Sequence, residues 1–141
     1  KALGNKKGTG VMKVETANGG QSSSLLDPVK HLTQYPHILF DKEEEVEIER
    51  LDDLLPKIIT LPKLYNFINI DVQGYELEVF KGAEKQLNNI DYIMTEVNRD
   101  EVFKNCCRVE QLDEYLNNWN FKRVETTWDG GTWGDALYIK E

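Results

Sequence analysis

From Asn66 to the end of the chain, apolar positions switch between two periods. Asn66 to Val72 and Ile90 to Val97 are short, mostly apolar runs that read as strands. Between them Leu77, Phe80, Ala83 and Leu87 recur at helical spacing, which predicts a helix from Tyr75 to Leu87. Val109, Leu112, Leu116 and Trp119 predict a second helix, ending at Asn117 and Asn118. Phe121 to Trp128 and Ala136 to Lys140 read as strands divided by the glycine-rich turn Asp129 to Gly134. Strands with helical crossovers should be parallel and right-handed, and the closing hairpin makes the last strand antiparallel. The first of these strands ends in Asp71 and breaks at Gly74 into a helix, the place where open α/β sheets hold ligands.

The first half is less regular. Val11 to Thr16 reads as a strand, and Gly19, Gly20 and the serines Ser22 to Ser24 as a loop. Leu25 to Tyr35 is irregular or short-helical, interrupted by Pro28 and closed by Pro36. A strand pair is expected at His37 to Phe40 and Glu45 to Arg50, with Asp41 to Glu45 as a solvated turn. Leu51 to Leu55 starts a short helix that Pro56 limits. With no linker composition and no internal repeat, residues 1–141 read as one domain.

Composition narrows the classes. The chain has 141 residues, 40% of them hydrophobic, which suits a folded domain with a workable core. A net charge of -8 argues against nucleic acid as a partner, because such binding rests on Lys and Arg neutralising phosphates. No stretch approaches the roughly 20 apolar residues that cross a bilayer, so a cytoplasmic protein with no membrane partner is expected. Cys106 and Cys107 are neighbours and read as reduced thiols rather than a disulfide framework. His31 and His37 have no Cys or carboxylate at ligand spacing and read as surface or packing residues.

The run from Ile70 to Glu76, Ile-Asp-Val-Gln-Gly-Tyr-Glu, followed by Lys81-Gly-Ala83, resembles FkbM-type methyltransferases. In that family the segment after the fourth strand reads Ile-Asp-Val-Glu-Gly-x-Glu and the next helix contains Lys-Gly-Ala; the one departure here is Gln73 for Glu. Ala2 to Gly8 resembles the turn after the family's third strand, Gln21 to Ser24 its serine-rich segment, Val46 to Asp53 the approach to its fourth strand, and Tyr92 to Val97 its fifth strand with a terminal Glu. Nearly the whole chain is covered.

The resemblance implies a class I, Rossmann-like α/β sheet and transfer of a methyl group from S-adenosylmethionine to a hydroxyl of a sugar or other small metabolite. It implies catalytic roles for Asp71 and Glu96, since a carboxylate near the methyl group can orient the acceptor hydroxyl or take its proton. Leu3, Gly4, Asp71, Gln73 and Gly74 fall where the family holds its cofactor. Glu76, Asn98, Ser23 and Ser24 are the expected acceptor contacts. Asp71, Glu96 and Asn98 also resemble, by position alone, the layout that holds magnesium in catechol-type methyltransferases, and no metal is assigned on that likeness. Trp128, Trp133 and Tyr138 read as core or turn aromatics before an acceptor wall.

The family's glycine-rich turn after the first strand and the acid after the second have no counterpart here, and Gly19-Gly20 leads into serines rather than a helix. The expectation is therefore an N-terminally incomplete sheet, with the strand at Phe67 as an exposed edge open to homo-oligomerisation. Two rival readings follow: a non-catalytic remnant serving as an interaction module, favoured by Gln73, and a metal-dependent sugar transferase, which lacks an Asp-x-Asp run.

Overall fold

The structure is a computed structural model that describes residues 1–58 and 65–141. It is a mixed α/β fold with two sheets. The first has three strands, β1 (Ala2–Leu3), β2 (Gly8–Val14) and β3 (Lys42–Glu49), in the order β1-β3-β2. The second has four, β4 (Phe67–Ile70), β5 (Tyr92–Asn98), β6 (Phe121–Asp129) and β7 (Trp133–Lys140), in the order β4-β5-β7-β6. As expected, β4 and β5 run parallel, and β7 is antiparallel to both β5 and β6. The strand β4 is a sheet edge among the described residues, with Phe67 51% exposed and Ile70 buried.

The charged run is the main departure in the first half. Asp41 to Glu45 is not a turn, and His37 to Phe40 is not a strand; Lys42 to Glu49 is one continuous strand paired with β2. The alternation of Glu45, Val46, Glu47 and Ile48 stops at Glu45, and the strand nevertheless runs back through the exposed, charged Lys42 to Glu44, because strand positions turned to water tolerate charges that their neighbours balance. Lys13 pairs with Glu43 across the ladder, and Lys1 lies 2.8 Å from Glu47. Pro56 likewise does not end its helix: α2 spans Leu51–Ile58 with Pro56 inside it.

The helix expected over Tyr75 to Leu87 is two helices, α3 (Glu76–Lys81) and α4 (Glu84–Leu87). The break has a packing cause. A Cβ on Gly82 would lie 2.0 Å from the Gly4 carbonyl oxygen, so only glycine lets the two backbones meet. From the same side, the buried Asp52 accepts hydrogen bonds from the backbone N–H groups of Lys85 and Gln86, which serves the open start of α4.

The remaining helices are α1 (Lys30–Gln34) and α5 (Val109–Asn117). Phe80, Ala83 and Leu87 are fully buried with Ile93, Leu112, Leu116 and Tyr138, whereas Leu77 is half-buried. A second cluster, Val102, Phe103 and Cys106 with Leu26, Phe40 and Trp133, joins the N-terminal loops to the end of the larger sheet. It seats the Ser-rich loop beside the end of β4. No helix of the described residues is long and apolar enough to cross a membrane.

Candidate active site

Ile70 pairs with Thr95, so the next residues, Asp71 and Glu96, are neighbours where β4 ends; Glu96 does not end its own strand as expected, because β5 runs on to Asn98 against β7. The chain then turns sharply: Gln73 and Gly74 take positive φ angles of 54° and 94°. Glycine serves the second position twice over, because a Cβ there would also lie 2.7 Å from Cys106 Cβ. Glu76, one turn on, accepts hydrogen bonds from the backbone N–H groups of Val72 at 3.1 Å and Gly74 at 3.0 Å. From the N-terminal half, the Ser24 hydroxyl donates to the Gln73 carbonyl at 2.8 Å. Two distant segments thus hold one five-residue turn.

The turn throws the Gln73 side chain back across the strand ends. Its Nε2 donates to Asp71 Oδ1 at 2.6 Å and to Glu96 Oε2 at 2.9 Å. Behind them the buried Asn98 faces Glu96, with Nδ2 3.4 Å from Oε1. Oxygens of Asp71, Glu76 and Glu96 lie within 4.8 Å of one another, with Asp71 exposed and the two glutamates buried. Burial pushes the Glu76 carboxyl up, and the nearby Asp71 adds to it against the pull of the backbone N–H groups. The Glu96 carboxyl is pushed up by burial first, then by Glu76 and Asp71. Crowded, desolvated carboxylates favour holding a proton.

Two cavities open on this cluster. One of about 430 Å³ is lined by Asp71, Gln73 and Glu96 together with His31, His37 and Trp133. The other, about 340 Å³, is lined by Leu3, Ser23, Ser24, Asp71, Val72 and Tyr75. Asp71 belongs to both walls.

Several expected contacts fall elsewhere. Gly4 and Gly74 line neither cavity; both are buried and permit close backbone packing. Glu76 and Asn98 are also behind the walls rather than on them, Glu76 holding the turn. Ser24 lines the second cavity, but its hydroxyl is committed to Gln73 and to the Leu26 N–H. Ser23 accepts from the Glu15 N–H and keeps its own proton to donate. Tyr138 is core, bonded to Asp113. Trp128 stacks under Arg99.

His31, Tyr35, His37 and Tyr75 reach the cavities without having been marked as candidates. His31 is buried among Tyr35, Phe40 and Phe103, and burial lowers its pKa, keeping the ring neutral. Two hydrogen bonds bring that segment to the hairpin: Trp133 Nε1 donates to the Tyr35 hydroxyl at 3.0 Å and Gln34 Nε2 donates to Thr132 Oγ1 at 2.8 Å. A separation of 98 residues leaves no local pattern to find them by.

The chain is 32% identical over 83 residues to the 2-O-methyltransferase NoeI of Sinorhizobium fredii (strain NBRC 101917 / NGR234), an alignment covering 59% of this chain and 33% of that protein. It therefore spans about a third of the length of the relative it matches. No solved structure matches it. The Methyltransferase FkbM domain matches residues 2–123, which take in the first sheet, β4, β5 and every residue of the carboxylate cluster but only the start of β6 and none of β7, and the chain belongs to that family.

Proposed function

We propose that the protein is an S-adenosylmethionine-dependent O-methyltransferase acting on a hydroxyl of a sugar or similar small, neutral metabolite. One observation carries the reading: Asp71, at the carboxyl end of β4, is the residue common to two adjoining cavities of different character. The order β4-β5-β7-β6, with its reversed β7, supports assigning the larger sheet to the Rossmann-like class I architecture.

The second cavity suits the methyl donor. Leu3, Leu25, Val72 and Tyr75 give it apolar and aromatic walls, while Ser23 and Asp71 supply a hydroxyl and a carboxylate. That is a donor set for a purine and a ribose. S-adenosylmethionine bound there would supply a methyl group on a sulfonium, open to direct displacement.

The first cavity suits the acceptor. It is lined by Asn18, Gln21, His31 and His37 and, among the described residues, by no Lys or Arg, so a neutral polyol fits better than an anion. In this reading Asp71 orients the acceptor hydroxyl and takes its proton as the oxygen attacks. Gln73 holds Asp71 and Glu96 in one geometry, and the raised Glu96 carboxyl keeps a proton on its side of the pair. Positioning supplies much of the rate in such a displacement. The relative's name, a 2-O-methyltransferase, favours oxygen as the acceptor atom.

Transfer of labelled methyl from S-adenosylmethionine to a panel of hydroxylated glycosides tests the proposal. Asp71→Asn should lower turnover by about 100-fold or more, the range a general base supplies. A variant that keeps full turnover would remove Asp71 from the mechanism.

A further inference from the structure

His31 stands out among the groups that the proposed mechanism leaves unused. It is 5% exposed, yet it lines the first cavity. Its ring is caged, with the ring centroids of Tyr35 and Phe40 5.1 Å away and that of Phe103 at 5.4 Å. The backbone is tied as well: the His31 N–H donates to the Val102 carbonyl at 3.2 Å, and the His31 carbonyl accepts from the Tyr35 N–H at 2.9 Å. Asn18 and Gln21 reach the same cavity from an exposed loop. A side chain locked by packing fixes a ligand's orientation better than one free to turn.

A polar ring in an aromatic cage is costly unless it is hydrogen-bonded, and phenylalanine would fill the place without that penalty. Nδ1 is buried with no hydrogen-bond partner among the described residues. Nε2 is not enclosed in this way and bonds to no described residue, so the ring meets the cavity by that edge. Burial keeps the imidazole neutral in spite of Glu15, so one nitrogen carries the proton and the other a lone pair. Orphaned buried N–H groups are rarer than bare acceptors, which assigns the lone pair to Nδ1 and the proton to Nε2. The cavity is thus offered a fixed N–H donor. Asp71 and Glu96 supply acceptors where β4 ends, and Trp133 adds only its ring, because its Nε1 is committed to the Tyr35 hydroxyl.

We propose that His31 is a specificity-determining residue of the first cavity, its Nε2–H donating to a second oxygen of the molecule whose hydroxyl Asp71 engages. This rests on the assignment of that cavity to the methyl acceptor.

Imidazole-nitrogen NMR of the ¹⁵N-labelled chain, with methyl glycosides added and no methyl donor, tests the contact directly. The proton is expected on Nε2 in the free protein, and the Nε2 resonance should move saturably with at least one glycoside. A proton on Nδ1, or an Nε2 resonance that no glycoside moves, overturns the proposal. Kinetics supply the second readout. Among monodeoxy analogues of an accepted glycoside, one should show a KM raised about 10-fold in the parent protein, the size of one lost hydrogen bond. His31→Phe should raise the KM of the intact glycoside by the same factor and leave that of this analogue unaltered, with kcat changed less. His31→Gln, which keeps an N–H, should lie between. Equal KM changes for both glycosides in a folded His31→Phe protein also overturn the proposal. Should no glycoside accept methyl from the parent protein, the methyl-transfer reading falls and the nitrogen shifts alone decide on His31.

Discussion

Two acidic regions of this molecule carry similar charge and behave oppositely. On β3, Glu43, Glu44, Glu45 and Glu47 are exposed, and lysines answer them: Lys13 to Glu43, Lys42 to Glu44, Lys1 to Glu47. The hydrogen bond from Lys42 holds Glu44 below the usual carboxylate range, and that from Lys1 does the same for Glu47. At the strand ends, Glu76 and Glu96 are buried, unpaired with any cation among the described residues, and raised by burial. Density of charge does not mark a site; desolvation without a counter-charge does. Surface pairs of the first kind contribute little to stability.

The sharpest way to break this contrast is turnover. Asp71→Asn should cost about 100-fold or more, whereas Glu44→Gln should leave methyl transfer unchanged. Equal losses would show that the sheet's overall field, rather than the strand-end geometry, drives the chemistry.

The next effect is on stability against pH in metal-free buffer. Glu76 and Glu96 have folded pKa values raised above their ordinary 4.5. Their contribution is fully present below that value and is lost as pH rises toward the folded pKa. Melting midpoints should therefore fall between about pH 5 and 8, by at most about 1.4 kcal/mol per pH unit for each titrating group, and Glu96→Gln should flatten the slope. A midpoint that rises over that range would contradict the buried, unpaired state. The lowered acids of β3 act oppositely, adding a small stabilisation that is lost only as pH drops through their folded pKa values.

A smaller effect belongs to the support of the turn. Ser24→Ala removes the donor to the Gln73 carbonyl and should cost about 1 kcal/mol, together with a modest fall in turnover as Gln73 loses its hold. Denaturant unfolding and steady-state rates read the two parts. Smallest of all, Glu44→Gln should leave the melting midpoint unchanged, since an exposed pair is screened by water and salt.

The larger sheet was legible because its signals are local. Phe80, Ala83 and Leu87 lie on one stripe, the strands alternate with helices, and the hairpin turns at its glycines, though within a tighter stretch, Gly130 to Thr132, than the expected Asp129 to Gly134. The FkbM resemblance was legible on the turn at Asp71 to Glu76. What failed depended on distant partners. Nothing near Gly82 announces that Gly4 must pass within contact of it, and so the break between α3 and α4 is invisible locally.

The same holds for β3, whose charge run reads as a turn until Lys13 and Lys1 arrive to balance it. At the site, Asp71 and Glu96 were visible as acids ending apolar runs. Glu76 and Asn98 lie behind the cavity walls, and spacing alone could not tell a side chain on the wall from one behind it. The aromatic and imidazole groups of the first cavity come from the irregular N-terminal half, where no periodicity points inward.

The most direct measurement is residue-resolved NMR of the chain titrated with S-adenosylmethionine, which detects even weak binding. Shifts should appear at Leu3, Ser23, Asp71, Val72 and Tyr75 around the second cavity, and not along Glu43 to Glu47 of β3. Shifts centred on β3, or none at the end of β4 up to saturation elsewhere, would contradict the assignment of the strand-end acids as the site of methyl transfer.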